Sequence, residues 1–172
     1  ISAAEHSSVR EAGEALRVAG RSVNVVGVDP EGRLSVSALE SALAEQPPGL
    51  LSTVGANNEL GTLAPFAEIG AALEAAAPAN RAAWHADCVQ MLGKVPVRPR
   101  DLGLDLASFS AHKVGGPLGV GLLWCSRSLP FTPRMVGGGQ EGGLRSGTEN
   151  LPGIAAAAVA IELAVAEQAE YA

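Results

Sequence analysis

The feature that most limits how this chain can fold is a repeated order of apolar stretch, polar loop and helical pattern. Gly49 to Gly55 has the length and apolar content of a buried strand, a polar loop runs from Asn57 to Gly61, and Pro65 to Ala77 has helical periodicity with a proline suited to its first turn. Earlier, a helical pattern from Ser7 to Ala19 precedes a valine-rich strand pattern from Ser22 to Asp29. Strands that alternate with helices predict a three-layer α/β fold, with a mostly parallel sheet between helices on both faces.

The remaining segments extend this pattern and include one strand of opposite direction. Ser37 and Glu40 fit a capping box that opens a helix to about Gln46. Gly119 to Cys125 returns too soon after the preceding strand to leave room for a crossover helix, so we expect it to be antiparallel. Two further strands and a single helix of about five turns are predicted at Ala82 to Ala86, Leu104 to Phe109 and Leu151 to Glu170.

The composition indicates a folded chain with an excess of apolar surface. Of the 172 residues, 47% are hydrophobic and 17% are charged, whereas about 25% charged residues are usual. The length is that of one domain. We therefore exclude disorder and expect more buried surface than a domain of this length needs.

Charge, hydropathy and cysteine content exclude several kinds of partner. The net charge is −6 without a block of Lys and Arg, so no nucleic-acid partner is expected. The most apolar stretch, Ile154 to Ala166, contains Glu162 and is shorter than the roughly 20 residues of a bilayer span; no signal peptide pattern opens the chain. Cys88 and Cys125 do not form a disulfide framework, and no His and Cys cluster has zinc spacing. The expectation is a cytoplasmic protein with no membrane contact and no metal site.

Polar side chains that follow predicted strands form the candidate functional site. In α/β sheets, ligands bind at the carboxyl ends of strands, so residues distant in sequence can converge on one crevice. The residues that share this position are Asn58, Asp87, Gln90, Ser110, His112 and Lys113.

Lys113 is the strongest single indication of chemistry. Hydroxyl and imidazole groups precede it in the segment Ser110 to Pro117, and closely spaced glycines follow it. A lysine amine attacks carbonyl groups once burial or a neighbouring cation lowers the pKa of the amine, and the groups around Lys113 can bind an anion. The alternative, from the residues alone, is a solvated loop lysine.

Asp87 complements this lysine from the end of another predicted strand. A carboxylate there can keep a heteroaromatic nitrogen protonated, as in pyridoxal phosphate enzymes. Asp87 could equally cap a short helix that begins there. Gln90 lies one helical turn further on and could reach the same ligand.

Six ordered stretches carry a resemblance to a known family. They are Ala4–His6, Ala56–Thr62, His85–Lys94, Ser108–Lys113, Gly137–Glu141 and Arg145–Asn150. Together they resemble the cysteine desulfurases of the class V aminotransferase family, in its nitrogen-fixation and iron–sulfur-cluster branch. The resemblance implies the large domain of a fold type I pyridoxal phosphate enzyme, of which only the central part is present. Residues 1–150 would belong to this cofactor-binding domain, and residues 151–172 would begin a helix that leads toward a small domain.

The resemblance also assigns catalytic roles. It implies that Lys113 binds pyridoxal phosphate covalently and later transfers protons, that His6 stacks on the cofactor ring, and that Asp87 holds the pyridine nitrogen.

The remaining cofactor contacts also come from the resemblance. Asn58 and Gln90 would contact the ring and its phenolic oxygen, and Ser110 with His112 would bind the phosphate. Thr148 would reach the phosphate of the neighbouring subunit in a homodimer.

The activity implied is the conversion of L-cysteine to L-alanine, with the sulfur passed to an enzyme cysteine as a persulfide for iron–sulfur cluster or thiolation pathways. A sulfur acceptor or scaffold protein would be a further partner. Cys88 stands where the family has a small residue such as alanine, so it is expected to be a packed side chain, and Cys125, at the end of an apolar strand, is expected to be inert. In the family, the persulfide-forming cysteine and the arginine that binds the substrate carboxylate lie further along, so this chain alone is expected to be inactive. The alternatives are another class V enzyme, either an aminotransferase or similar to selenocysteine lyase, and a non-catalytic interaction module.

Overall fold

The centre of the molecule is a four-stranded sheet with the strand order β1–β2–β3–β4. The computed structural model describes residues 1–77 and 81–171. The strands are β1 (Leu50–Val54), β2 (Ala83–Asp87), β3 (Leu106–Ser110) and β4 (Gly121–Cys125). The first three are parallel and β4 is antiparallel to β3, which confirms the direction expected from the short connection before β4.

The predicted strand at Ser22 to Asp29 is wrong as a regular element. This segment forms only isolated bridges, one of which joins Val26 to Ser2. Val26 is buried, whereas Val25 is 64% exposed, so only part of the valine pattern faces the core. The valine repeat therefore identified extended backbone without the neighbours that a full strand needs.

The described residues form four α-helices beside the sheet: α1 (Ser7–Val18), α2 (Val36–Glu45), α3 (Phe66–Ala76) and α4 (Leu151–Ala166). The predicted capping box is wrong, because α2 is capped two residues earlier than Ser37, by Ser35, whose Oγ accepts a hydrogen bond from the Ala38 N–H at 3.3 Å. Pro65 occupies the N-cap of α3 and not its first turn.

The last helix is shorter than predicted. The α-helix stops at Ala166 and does not continue to Glu170; a 3₁₀ turn, Gln168–Tyr171, follows it. The Glu170 N–H bonds to the Glu167 carbonyl at 2.9 Å, so the backbone has tightened to the shorter 3₁₀ spacing.

The core lies between the sheet and the pair α2 and α3. Trp84 on β2 is fully buried, and its indole Nε1 donates a hydrogen bond to Thr53 Oγ1 at 3.0 Å. Its ring lies 5.7 Å from that of Phe66 at the start of α3. Among the described residues, no helix is both long and apolar enough to cross a membrane.

Two glycines allow the close approaches that shape the carboxyl edge of the sheet. The Gly55 N–H donates to the Asp87 carbonyl at 2.8 Å, and a Cβ on Gly55 would lie 2.5 Å from Met91 Sδ and 3.1 Å from that carbonyl oxygen. Gly93 has a φ of +72°, and a Cβ there would lie 2.8 Å from the Cβ of Ala164 on α4. The edge therefore depends on backbone packing that a larger residue would disturb.

Candidate active site

Asp87 ends β2 and is 8% exposed. Its Oδ1 accepts a hydrogen bond from the Val89 N–H at 3.0 Å, and no other residue in the described part of the chain binds its side chain. Asp87 therefore caps the segment that follows it, as the alternative interpretation of the sequence suggested, but this segment consists of turns and not of a helix. Because one oxygen caps the turn, the other remains available for a ligand.

The segment that carries Lys113 is a short 3₁₀ helix, Ala111–Val114, where the sequence suggested a loop. Ser110 Oγ and His112 Nδ1 lie 2.8 Å apart, while the side chain of Lys113 is exposed. A Cβ on Gly116 would lie 2.8 Å from the Ala111 carbonyl oxygen, so only glycine lets the chain fold back so tightly after the lysine.

Gln90 is fixed by a neighbour that sequence reasoning did not select. Lys94 Nζ donates a hydrogen bond to Gln90 Oε1 at 2.7 Å. An ammonium group has only donors, so it must face the amide oxygen, and this leaves the amide N–H groups of Gln90 free to donate elsewhere. Burial, and secondly the charge of Lys113, lower the pKa of Lys94. The segments that carry the two lysines are neighbours, since a Cβ on Gly93 would lie 3.3 Å from Val114 Cγ1. Two cations in neighbouring segments favour the binding of an anion.

His6 is the N-cap of α1. Its Nδ1 accepts a hydrogen bond from the Ser8 N–H at 3.2 Å and lies 2.8 Å from Ser8 Oγ, which leaves Nε2 and the exposed ring face free. Asn58 is exposed and forms no side-chain hydrogen bond with another described residue.

The loop around Asn58 is held in place by the side chain of Asn57. The Oδ1 of Asn57 accepts from the N–H groups of Glu59 and Leu60, each at 2.9 Å, and its Nδ2 donates to the Ala4 carbonyl at 3.3 Å. This side chain therefore joins the β1–α3 loop to the segment that carries His6. An asparagine at the start of a polar turn is a recognisable sequence signal for such self-bonding.

A polar network lies behind Asp87. His85, two residues earlier on the same face of β2, bonds through Nδ1 to Ser52 Oγ at 2.7 Å and through Nε2 to Ser108 Oγ at 3.1 Å. Burial lowers the pKa of His85, against an opposing effect of Asp87. The network links β1, β2 and β3, and so fixes the strand that presents Asp87.

Glu5 is the other group near Asp87 that the sequence did not single out. It is 5% exposed, and neither carboxyl oxygen has a hydrogen-bond partner among residues 1–77 and 81–171. Burial, and next the charge of Asp87, raise the pKa of Glu5 to about 7. A buried carboxyl of this kind can be recognised only in the folded structure, because the sequence does not show which residues are buried.

Thr148 and the two cysteines lie apart from this chemistry. Thr148 is exposed and lines a groove of about 830 Å³ between β4 and α4, so the structure does not bring it together with the other predicted residues. Cys88 is fully buried, and burial, followed by Asp87, raises the pKa of its thiol to about 12, as expected for a packed side chain. Cys125 is half-buried, and its Sγ lies 3.6 Å from the Ser126 carbonyl oxygen.

The sheet and its polar edge define an α/β protein of the kind that binds a ligand at the carboxyl ends of its strands. The chain belongs to the aminotransferase class-V family, whose model matches residues 1–171. Class V aminotransferases and cysteine desulfurases depend on pyridoxal phosphate.

Individual relatives agree with this family. The chain is 41% identical over 165 residues to the cysteine desulfurase of Cereibacter sphaeroides, covering 95% of this chain and 41% of that protein. It is 42% identical over 167 residues to cysteine desulfurase IscS of Anaeromyxobacter sp. (strain Fw109-5), covering 96% and 40%. A solved NifS-like protein superposes with a TM-score of 0.92 at 40% identity, covering 98% of this chain and 46% of that one. The chain thus spans about two-fifths of the length of the curated relatives it matches.

The residues present fit pyridoxal phosphate. Asp87 offers a buried carboxylate with one oxygen not bonded to the protein, the segment after β3 supplies hydroxyl, imidazole and ammonium groups, and Gly116 removes the Cβ that would fill the turn beside them. Opposite charges for a ring nitrogen and for a phosphate are therefore available at one edge of the sheet.

Proposed function

We propose that this chain forms the cofactor-binding part of a pyridoxal-phosphate-dependent cysteine desulfurase, which converts L-cysteine to L-alanine and passes the sulfur to a cysteine of the enzyme. The observation that carries the proposal is the placement of a buried carboxylate, Asp87, at the same sheet edge as the segment Ser110 to Lys113. The names of the relatives supply the reaction.

Asp87 and Lys113 would hold the two chemically active ends of the cofactor. The carboxylate of Asp87 favours the protonated ring nitrogen, because opposite charges in contact stabilise each other. When bound, the cofactor supplies an electron-withdrawing ring that stabilises negative charge on the substrate carbon. The amine of Lys113 would attach the cofactor and later move a proton to or from that carbon.

The other residues would orient the cofactor. His6 would stack on the ring, Gln90 would donate its free amide N–H to the phenolic oxygen, and Asn58 would contact the ring from the β1–α3 loop. Ser110 and His112 would bind the phosphate, as their 2.8 Å contact supports.

The contributions of a second subunit and of other proteins belong to the same proposal. Thr148 would reach the phosphate of the neighbouring subunit in a homodimer, and a sulfur acceptor or scaffold protein would take the sulfur. The resemblance to cysteine desulfurases assigns the first sulfur acceptor to a cysteine further along the polypeptide. The Cys88 thiol agrees with this, because burial that raises its pKa to about 12 makes it a poor nucleophile.

The division of the chain and its location complete the proposal. Residues 1–150 would belong to the large domain and 151–172 would begin the helix toward a small domain. Both cysteines are free thiols, which suits a cytoplasmic enzyme.

The test uses the full-length protein incubated with pyridoxal phosphate. We expect a visible absorbance band that is lost in both Lys113→Ala and the charge-matched Lys113→Arg. With L-cysteine and a thiol reductant that reduces the persulfide, the wild type should release alanine and sulfide. Arg21→Ala, at an exposed position beyond α1, is the control and should keep the band. A bound cofactor without alanine and sulfide would indicate another class V reaction, and the absence of any band would contradict the cofactor site and leave a non-catalytic module.

A further inference from the structure

Glu5 is an anomaly in the packing of this protein. Within residues 1–77 and 81–171, it is the one side chain whose buried oxygen or nitrogen atoms lack a hydrogen-bond partner. A buried and unpaired carboxylate is strongly disfavoured, so such a group tends to hold a proton. Its position therefore calls for an explanation in terms of its neighbours.

The position of Glu5 is fixed from two sides at the carboxyl edge of the sheet. It directly precedes His6, and the carbonyl of Ala4 accepts the hydrogen bond from Asn57 that ties this segment to the β1–α3 loop. On the other side, Val54 at the end of β1 pairs with Asp87 at the end of β2. Because the Ser2 N–H also bonds to the Ser52 carbonyl on β1 at 3.2 Å, the segment that carries Glu5 runs beside β1, the strand next to the one that ends at Asp87.

The charged groups that act on Glu5 are few. Asp87, from β2, disfavours its ionisation, and the amino group of Ile1, in its own segment, favours it. Backbone groups of Val54 and Ser2 lie near enough to favour the charged form slightly without reaching hydrogen-bonding geometry. A longer polypeptide would carry an amide in place of the amino group, which removes the one opposing charge.

The nearby histidines do not pair with Glu5, because neither of its carboxyl oxygens has a hydrogen-bond partner in the described part of the chain. Both ring nitrogens of His85 are bonded to Ser52 and Ser108, and Nδ1 of His6 is bonded to the start of α1. Ionisation of Glu5 would therefore add a negative charge near Asp87, and no cation of the described residues is bonded to the Glu5 carboxyl.

We propose that Glu5 is a positioning residue for the cofactor ring: a buried carboxyl at the carboxyl edge of the sheet that carries a proton while the site is empty and gives it up when the positively charged ring nitrogen binds to Asp87. The proposal rests on the proposed function, since it needs a cationic ring at Asp87. Because a cation at Asp87 offsets the repulsion between the two carboxylates, binding of the ring and ionisation of Glu5 favour each other.

The sign of the expected effect follows from this coupling. At a pH below its pKa, Glu5 is neutral and resembles glutamine. Above it, Glu5 is ionised and adds a second negative charge near the ring nitrogen. The wild type should bind pyridoxal phosphate more tightly than Glu5→Gln at pH 8, by up to about tenfold for each unit by which binding lowers the pKa of Glu5. This advantage should shrink as the pH falls toward the pKa that Glu5 has in the bound state.

The experiment measures cofactor affinity of the full-length apoprotein between pH 6 and 8 for the wild type, Glu5→Gln and Glu11→Gln. Glu11 is exposed on α1, so its variant should follow the wild type at every pH. Ionisation of the cofactor itself affects all three proteins alike, so the ratio of their dissociation constants isolates the effect of Glu5. A ratio for Glu5→Gln that stays constant or moves the opposite way would overturn the proposal.

A second measurement does not depend on a variant that folds. Infrared spectra of the wild-type apoprotein should show the carbonyl stretch of a protonated buried carboxyl at pH 6, and this band should weaken when pyridoxal phosphate is added at constant pH. A band that never appears, or that the cofactor leaves unchanged, contradicts the role of Glu5 even where the cofactor binds. A wild type that binds no cofactor contradicts the proposed function, and the inference with it.

Discussion

Replacing Gly55 by alanine tests whether the contact between β1 and β2 holds Asp87 in place. The new Cβ would lie 2.5 Å from Met91 Sδ and 3.1 Å from the Asp87 carbonyl oxygen. The thioether can move, but the carbonyl belongs to the strand that carries the carboxylate, so relief requires a shift of backbone. Extra groups forced into well-packed sites destabilise proteins by about 1–3 kcal/mol, and we expect Gly55→Ala to fall in this range.

A matched control lies at the other end of the same strand. Gly49 has nothing within 4 Å of an added Cβ, and its alanine variant should be neutral or slightly stabilising, by up to about 1 kcal/mol. The assay is urea denaturation of the full-length apoprotein, followed by the affinity of each variant for pyridoxal phosphate. Gly55→Ala should lose both stability and affinity relative to Gly49→Ala. Equal stability and equal affinity of the two variants would refute the reasoning that the glycine is needed for this contact.

Two further predictions concern side chains around Asp87. Burial and the charge of Asp87 raise the pKa of the Cys88 thiol to about 12, so an alkylating reagent at pH 8 should modify this cysteine only after denaturation. Modification is measured by mass spectrometry, and rapid modification of the native protein would contradict this expectation. Lys94 orients the amide of Gln90 through a 2.7 Å hydrogen bond. Lys94→Met should therefore weaken the affinity for the cofactor several-fold, and Lys94→Arg should weaken it less. Equal affinities of the two variants would show that the orientation of Gln90 does not depend on a cation.

The direction of a strand could be predicted where the length of the connecting segment allows only one arrangement. The short link before β4 leaves no room for a crossover, and so its antiparallel direction followed from spacing alone. The segment around Val26 shows the opposite case. Its valines indicate extended backbone, but whether a strand forms depends on neighbours that the local pattern does not contain.

The sequence predicts the charged residues expected to bind the cofactor, but not the neighbouring residues that orient them. Asp87 and Lys113 follow strands, and the position of ligands in α/β sheets selects them. Lys94 was missed because its role depends on a side-chain bond to Gln90. Glu5 was missed because burial is a property of the folded chain. The neighbouring residues in the sequence do not distinguish a buried glutamate from an exposed one.

The most direct measurement of the central claim is to locate the covalent attachment of the cofactor. The full-length protein is incubated with pyridoxal phosphate, reduced with borohydride and digested, and the modified peptide is identified by mass spectrometry. Lys94 and Lys113 are the two lysines of this chain, so each serves as the internal control of the other. The structure predicts modification of Lys113 with Lys94 left unmodified, and modification of Lys94, or of neither lysine, would contradict the site described here.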